Sequence, residues 1–266
     1  MASLDHLTPR PLSWRTQWLA GQAVAYREYL LTKRFAAETL AGPMFSAVLY
    51  LTVISLALGA ASTLQEGAAI VRHMAAGLAL TGLVAAAQTT AASFIVARHE
   101  NALTTLLMAP MHPITFVLGF CVTSVGFALV GAAGILLMGG LFTPLEPRWG
   151  ILALFLPLGC TAMALVGFLV GLWAKRWDQF SALFDIGILP MTLISGVYVP
   201  ISVLPAAMQP LSWVSPLTYI VGGVRHGATG YDEMPLWLCL AVVVGLNLIL
   251  AAAAMRLVGR GWRLVD

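Results

Sequence analysis

Residues 185–230 read DIGILPMTLISGVYVPISVLPAAMQPLSWVSPLTYIVGGVRHGATG, and within them 186–224 is a run of 39 residues without one charged side chain. As a single helix at 1.5 Å per residue it would reach roughly 58 Å, about twice the apolar thickness of a bilayer. Five prolines forbid that: Pro190, Pro200, Pro205, Pro210 and Pro216. Each removes a backbone donor and clashes with the turn before it. The expectation is a span ending near Tyr198, a turn at Val199-Pro200, and two short apolar pieces, 203–211 and 214–223. Polarity then returns at Arg225, His226, Asp232 and Glu233. Pieces that short cannot cross a membrane, and pieces that apolar do not sit in water. Irregular backbone at membrane depth is tolerated only where it packs in protein or lines a cavity. A re-entrant helical hairpin meets both demands, with Ala206 and Ala207 near its deep turn, Ser212 and Ser215 serving backbone groups there, and Arg225 and Asp232 outside. An ordinary long loop carrying a surface-lying helix is the alternative.

Composition agrees with a membrane chain. Hydrophobic residues make up 60% and charged residues 9% of the 266, with a mean hydropathy of +0.90, far from a soluble mix. Cys121, Cys160 and Cys239 all fall in apolar runs, which reads as three small apolar residues rather than a disulfide framework. The N-terminal forty residues lack the compact apolar core of a secretory signal. No basic tract suggests nucleic acid.

Beyond residue 40 six apolar runs follow, uncharged but for Asp185 in the fifth: 42–61, 74–97, 114–141, 150–174, roughly 180–198, and 236–255. Each reaches the ~20 residues that cross a hydrocarbon core, and an even number puts both termini on one side. Eleven of the fourteen lysines and arginines then fall on the terminal face, and only Arg72, Arg148 and Arg225 fall opposite, so both termini are expected in the cytoplasm. Trp149, Trp173, Trp177, Trp237 and Trp262 stand near span ends, as interfacial anchors do. Ahead of the spans, 13–38 mixes Trp14, Trp18, Val24, Leu30 and Phe35 with Arg15, Arg27, Lys33 and Arg34. An amphipathic helix lying in the lipid interface fits that pattern, and so does one docking on a partner. The organisation expected is a cytoplasmic arm with its interface helix over 1–40 and a six-span, all-α transmembrane domain over 41–266.

The decisive stretch also carries a family resemblance. Leu193-Ile194-Ser195-Gly196-Val197-Tyr198-Val199-Pro200, then Leu204-Pro205, then Ser215-Pro216-Leu217-Thr218-Tyr219 and Arg225-His226-Gly227 resemble the signature of type-2 ABC exporter permeases. These are membrane subunits of bacterial export systems, including those related to nodulation-factor and capsule or O-antigen exporters. The resemblance extends over nearly the whole chain in length and span order, and is most specific from 193 to 230. It marks Pro205, Pro210, Pro216 and Tyr219 as residues of an external re-entrant hairpin between spans five and six.

The connection 98–113 holds a short helical stretch ended by proline, with Leu103, Leu106 and Leu107 at i, i+3, i+4. An apolar knob on the soluble side calls for a groove in another protein, or packs beneath the membrane on the chain's own arm. With Met108 and the Ala109-Pro110 ending, it resembles the family's coupling helix, which enters a cleft of the ATPase subunit. Where family members often carry glutamate this chain has Thr104 or Thr105, leaving Glu100 as the acidic residue at hand.

Polar residues inside the spans are few. Gln88, Thr89, Thr90 and Ser93 cluster in span two, and Ser181, Asp185, Thr192 and Ser195 lie in span five. A charge near the centre of a membrane helix costs roughly 2.5–3.5 kcal/mol on insertion scales, which makes such residues functional candidates. Asp185 stands seven positions past Asp178 and so could pair with Lys175 or Arg176 at a wet span end instead. The resemblance places spans two and five around the dimer interface and translocation route, which makes Gln88, Thr89, Ser93, Asp185, Thr192 and Ser195 the path candidates. Gly167 and Gly171 form a GxxxG in span four, a close-packing surface at best.

Enzyme signatures are missing from the sequence: it has no GxxxxGK[ST] loop, no HExxH and no cysteine–histidine metal spacing. The expectation is a bacterial inner-membrane permease subunit without cofactor or metal of its own. A separate ATP-binding cassette subunit would hold the ATP and magnesium. The resemblance implies a homodimer surrounded by lipid, and the uncharged interior favours an amphipathic, lipid-like or glycan substrate. A self-sufficient channel or secondary transporter would show intramembrane charges or a paired broken-helix repeat; a non-transporting scaffold is the third reading.

Overall fold

The computed structural model describes residues 13–34, 36–61, 64–108, 111–230 and 234–261. Pro110, Asp232, Glu233 and Trp262 lie outside the described residues, as does the side chain of Leu107. Every regular element among the described residues is helical. In chain order they are α1 (Trp14–Arg34), α2 (Ala36–Ala61), α3 (Leu64–Gly77), α4 (Ala79–His99), α5 (Ala102–Met108), α6 (Pro113–Phe142), α7 (Trp149–Trp173), α8 (Trp177–Leu183), α9 (Leu189–Ile194), α10 (Gln209–Val214), α11 (Pro216–Thr229) and α12 (Leu236–Gly259). Five stretches are long and apolar enough to cross a membrane: Thr39–Ala57, Gly67–His99, Pro113–Phe142, Trp149–Trp173 and Leu236–Gly259. They coincide with expected spans one, two, three, four and six. The second begins earlier than expected, because the helical run carries Arg72 and His73 without a break in its ladder: the Leu78 N–H still donates to the Met74 carbonyl at 2.8 Å.

The core is the seam between α4 and α7. A Cβ on Gly167 would stand 2.2 Å from the Ala87 carbonyl oxygen, and one on Gly171 3.1 Å from that of Ala91. The GxxxG of α7 therefore lets two backbones meet over a pair of alanines, the close approach that small residues provide where lipid offers no hydrophobic drive. Below that crossing Phe94, Phe116, Phe120 and Phe168 pack ring against ring, with centroids 5.1 to 6.5 Å apart. Arg98 closes this end. Its guanidinium lies over Phe94 and donates to the carbonyls of Ala174 (2.6 Å) and Leu172 (3.2 Å), meeting the acceptors a helix C-terminus leaves without intrahelical partners.

Helix α1 packs along α6. Gly21 abuts Thr115 and Val24 abuts Gly119; Gln17 accepts from the His112 N–H, and Thr123 donates to the Ala25 carbonyl. Val24, Glu28 and Thr32 face inward, while Trp14, Trp18, Leu19 and Tyr26 are exposed.

The fifth apolar run is a helix with a flaw. Its ladder continues from 177 to 194, about 27 Å at 1.5 Å per residue, but 184–188 forms a π turn in which the Leu189 N–H reaches the Phe184 carbonyl. Pro190, which has no N–H to offer Ile186, accounts for the widened turn. The helix stops at Ile194, four residues short of the expected end. The Ser195 hydroxyl turns back onto the Met191 carbonyl, and Gly196 takes φ +78°, a left-handed cap that favours glycine. Beyond it come a 3-10 turn at Ile201–Val203, then α10 and α11.

Candidate functional site: a cavity beside a short helix

The helix ends sort into two groups. At one end His99, α5, Arg98 and the last turn of α7 come together, and Pro113 adjoins Gly259. At the other, Gly77 of α3 meets Val197, Gly139 meets Ala75, and Gly227 meets Leu152. Arg148 and Arg225, two of the three basic residues expected on the sparse face, belong to this second group.

The first end holds a cavity of about 530 Å³. Gln88, Thr89 and Ser93 of α4 form its polar wall, Thr39 and Pro43 of α2 and Leu31 and Thr32 of α1 its flank, and Trp177 and Phe180 of α8 its aromatic side. The helical spacing of 88, 89, 92 and 93 puts those α4 side chains on one face. Thr89 and Ser93 satisfy their hydroxyls on carbonyls one turn back, Ala85 at 2.6 Å and Thr90 at 3.1 Å. The wall is thus uncharged but retains acceptors for a polar ligand edge. A second groove of about 490 Å³, lined by Leu40, Met44, Phe45, Val48 and Met138 among others, is wholly apolar.

The six expected path residues divide. Gln88, Thr89 and Ser93 share the cavity, whereas Asp185, Thr192 and Ser195 lie off it. Thr192 is buried and bonds the Leu189 carbonyl at 2.7 Å. Asp185 stands exposed in the π turn, among exposed Leu183, Ile186 and Leu189. Pairing of Asp185 with Arg176 is not found: Arg176 bonds Asp178 at 2.9 Å. The part of span five that reaches the cavity is Trp177 and Phe180, which their aromatic character alone did not mark.

Ser195 belongs to the opposite end, in a cluster of hydroxyls. It meets Ser215 at 3.0 Å; Ser212 donates to the Ile194 carbonyl at 2.8 Å and Thr218 to the Ser212 carbonyl at 2.6 Å. Tyr219 donates to the Trp213 carbonyl at 2.9 Å. Pro210 and Pro216 open α10 and α11, and the Pro205 carbonyl accepts from Met208 at 2.8 Å. The buried turn of this segment is Ser215-Pro216. Ala206 and Ala207, expected near a deep turn, stand ahead of α10 and are not packed against the rest of the described residues. Helix α11 runs antiparallel to α7, with Gly227 on Leu152, Gly223 on Phe155 and Ile220 on Gly159, so its first turns lie further into the bundle than its last.

Arg225 lies at the end where it was expected and is buried there. It is only 2% exposed, and its guanidinium donates to the Gly196 carbonyl, which His73 also meets at 3.0 Å. A buried cation needs such partners, and the capped end of span five supplies one. His226 faces Arg148 at 3.1 Å.

Helix α5 leaves α4 after two residues. Leu103 is buried in the chain's own core and Leu106 packs against it, so these two leucines cover the bundle's underside. Met108, 85% exposed, and Thr105 face outward. Glu100 reaches back to Arg27 of α1 at 3.5 Å. Among the described residues no cluster of His, Cys, Asp or Glu could hold a metal ion.

Long apolar helices packed around a mostly apolar cavity with one polar wall define a multi-pass helical membrane protein. The ABC-2 type transporter family matches over residues 20–228, and the chain belongs to that family. It is 25% identical over 246 residues to the inner membrane transport permease YadH of Escherichia coli K12, covering 92% of this chain and 96% of that protein. It is 26% identical to nodulation protein J of Rhizobium leguminosarum bv. viciae over 80% of this chain and 82% of that one. It is 25% identical to nodulation protein J of Rhizobium meliloti over 76% and 79%. The chain is a membrane permease of an ABC exporter, a multi-pass inner-membrane protein whose family works with an ATP-binding cassette partner.

Proposed function

We propose that two copies of this chain form the transmembrane pathway of the exporter and that the cavity is its cytoplasmic mouth. One observation carries this reading: α4 bears the cavity's polar wall and, six residues beyond Ser93, ends at His99, two residues ahead of α5. A helix is stiff over that distance, roughly 10 Å, so a push on α5 reaches the cavity wall directly. The ATPase subunit docks at the outward side of α5, through Met108 and Thr105 with Glu100 beside them, while Leu103 and Leu106 anchor the helix from above. The chain has no phosphate-binding loop of its own, so ATP and magnesium belong to that subunit.

The fifth span is the helix over 177–194, which makes six, and 195–230 re-enters from the external face with its backbone groups met by Ser195, Ser212, Ser215 and Thr218. Both termini are cytoplasmic, in keeping with the segregation of basic side chains, and the exposed aromatic face of α1 meets lipid. The exposed Asp185 beside apolar neighbours supports a second copy against span five, since a lone charge facing hydrocarbon is costly. An uncharged cavity with aromatic and hydroxyl walls suits an amphipathic substrate, lipid-like or glycan. The test is ATP turnover in lipid nanodiscs. The purified chain alone should neither bind nor hydrolyse ATP, and adding the cassette subunit should confer both. Turnover by the isolated, contaminant-free chain would contradict the proposal.

A further inference from the structure

Arg27 stands between two carboxylates, Glu28 on its own helix and Glu100 at the end of α4. Its guanidinium lies 2.6 Å from Glu28 and 3.5 Å from Glu100. Glu28 is 2% exposed. Glu100 is the residue from which α5 departs, and Leu31 and Thr32, one turn on from Arg27 and Glu28 in α1, line the cavity. An ion pair therefore ties the base of the docking helix to the arm, and the arm's next turn forms part of the cavity.

We propose that Arg27 is a positioning residue that couples α5 to the cavity, so that the α1 arm transmits the nucleotide state of the ATPase to the substrate site. The inference rests on the reading of α5 as docking helix and of the cavity as pathway mouth. Geometry assigns the task to arginine specifically. Its planar fork presents separate N–H groups to two carboxylates at once, which a lysine ammonium on a flexible stem does not do with fixed geometry. Movement of α5 would then carry α1 with it, and α1 flanks the cavity through Leu31 and Thr32. Without the fork, α5 could move while the arm stays in place.

The experiment uses the full chain with its ATPase subunit in nanodiscs of E. coli polar lipid. Gln88→Cys reports on the cavity, and the buried Cys121, Cys160 and Cys239 give little background. Maleimide labelling is timed without nucleotide and with ATP trapped by vanadate. In the Gln88→Cys parent the two rates should differ by about fivefold or more, the lower end of ordinary coupling between sites. Arg27→Lys keeps the charge beside Glu28 and should fold as the parent while losing most of that difference. Arg27→Gln with Glu28→Gln leaves no unpaired buried charge, so it too should assemble and hydrolyse ATP, with the two labelling rates equal. Retention of the full nucleotide dependence in both variants overturns the assignment to Arg27 and leaves the pathway reading standing. A parent whose labelling ignores nucleotide overturns the pathway reading itself, and the coupling role falls with it.

Discussion

Gly167→Ala is the sharpest test of how the bundle is held together. The added Cβ would lie 2.2 Å from the Ala87 oxygen, 2.6 Å from its Cα and 2.7 Å from its carbonyl carbon. Carbon needs about 3.5 Å or more from such neighbours, so α4 and α7 must separate by about 1 Å. No rotamer change relieves the contact, because the obstacle is backbone. Overpacking costs typically 1–3 kcal/mol, and a clash with backbone belongs at the upper end. On the scaling for chains of 150–250 residues, about 3 kcal/mol lowers Tm by roughly 6–12 °C. Gly126 of α6 provides the control: a Cβ there meets nothing within 4 Å, and Gly→Ala inside a helix gains about 1 kcal/mol. The buried thiols of Cys121, Cys160 and Cys239 become reactive on unfolding, so a thiol-reactive dye follows the melt in detergent. Gly126→Ala should melt at or above the parent, and Gly167→Ala well below it. If both variants melt alike, the α4–α7 crossing is not where this structure puts it.

Three other outcomes are expected. Met108→Asp should leave Tm unchanged and weaken co-elution of the ATPase subunit, whereas Leu103→Asp should lose the folded protein, since an unpaired buried charge costs several kcal/mol; size-exclusion profiles and melts of the two variants separate the outcomes. Arg225→Met removes one donor from the Gly196 carbonyl and should cost about 1–3 kcal/mol, read as a lower melt that Gly126→Ala does not share. Burial raises the Glu28 carboxyl above its ordinary 4.5, against the opposing pull of Ser93 and Arg27. The folded state therefore holds that proton more tightly than the unfolded one. Its stabilising contribution is full below pH 4.5 and fades as pH rises through the folded value. Relative to Glu28→Gln, the parent should thus lose Tm as pH climbs from about 4.5, and parallel Tm–pH curves would refute the burial of Glu28.

Spans one, two, three, four and six were legible because each is a long uncharged run, and hydropathy is a property of the segment itself. The break in the fifth was legible too, through Pro190 and the prolines after it. Its position was not: the helix ends where Ser195 and Gly196 cap it, and capping depends on φ at one glycine. The burial of Arg225 was not legible, because charge counts record where a cation is rare, not whether a carbonyl waits for it. The partner, Gly196, is 29 residues away. The same gap hid the strength of the Gly167 and Gly171 pair, whose counterparts Ala87 and Ala91 lie on another helix. In α5 the i, i+3, i+4 leucines announced an apolar face but not which body it covers. The chain's own core takes Leu103 and Leu106, and Met108 is left outward. For the cavity, the cluster at 88, 89 and 93 was readable as one face of a helix, while Trp177 and Phe180 joined it only through the packing of α8.

In the proposed assembly the ATPase subunit meets this chain at α5. Photo-crosslinking from benzoylphenylalanine tests it, placed singly at Met108 and at Val214, both strongly exposed and at opposite ends of the bundle, in cells that also express the cassette subunit. Docking at α5 should give an ultraviolet-dependent adduct with the ATPase from position 108 and none from position 214. An ATPase adduct from position 214, or none from 108 while the two subunits still co-purify, would contradict it.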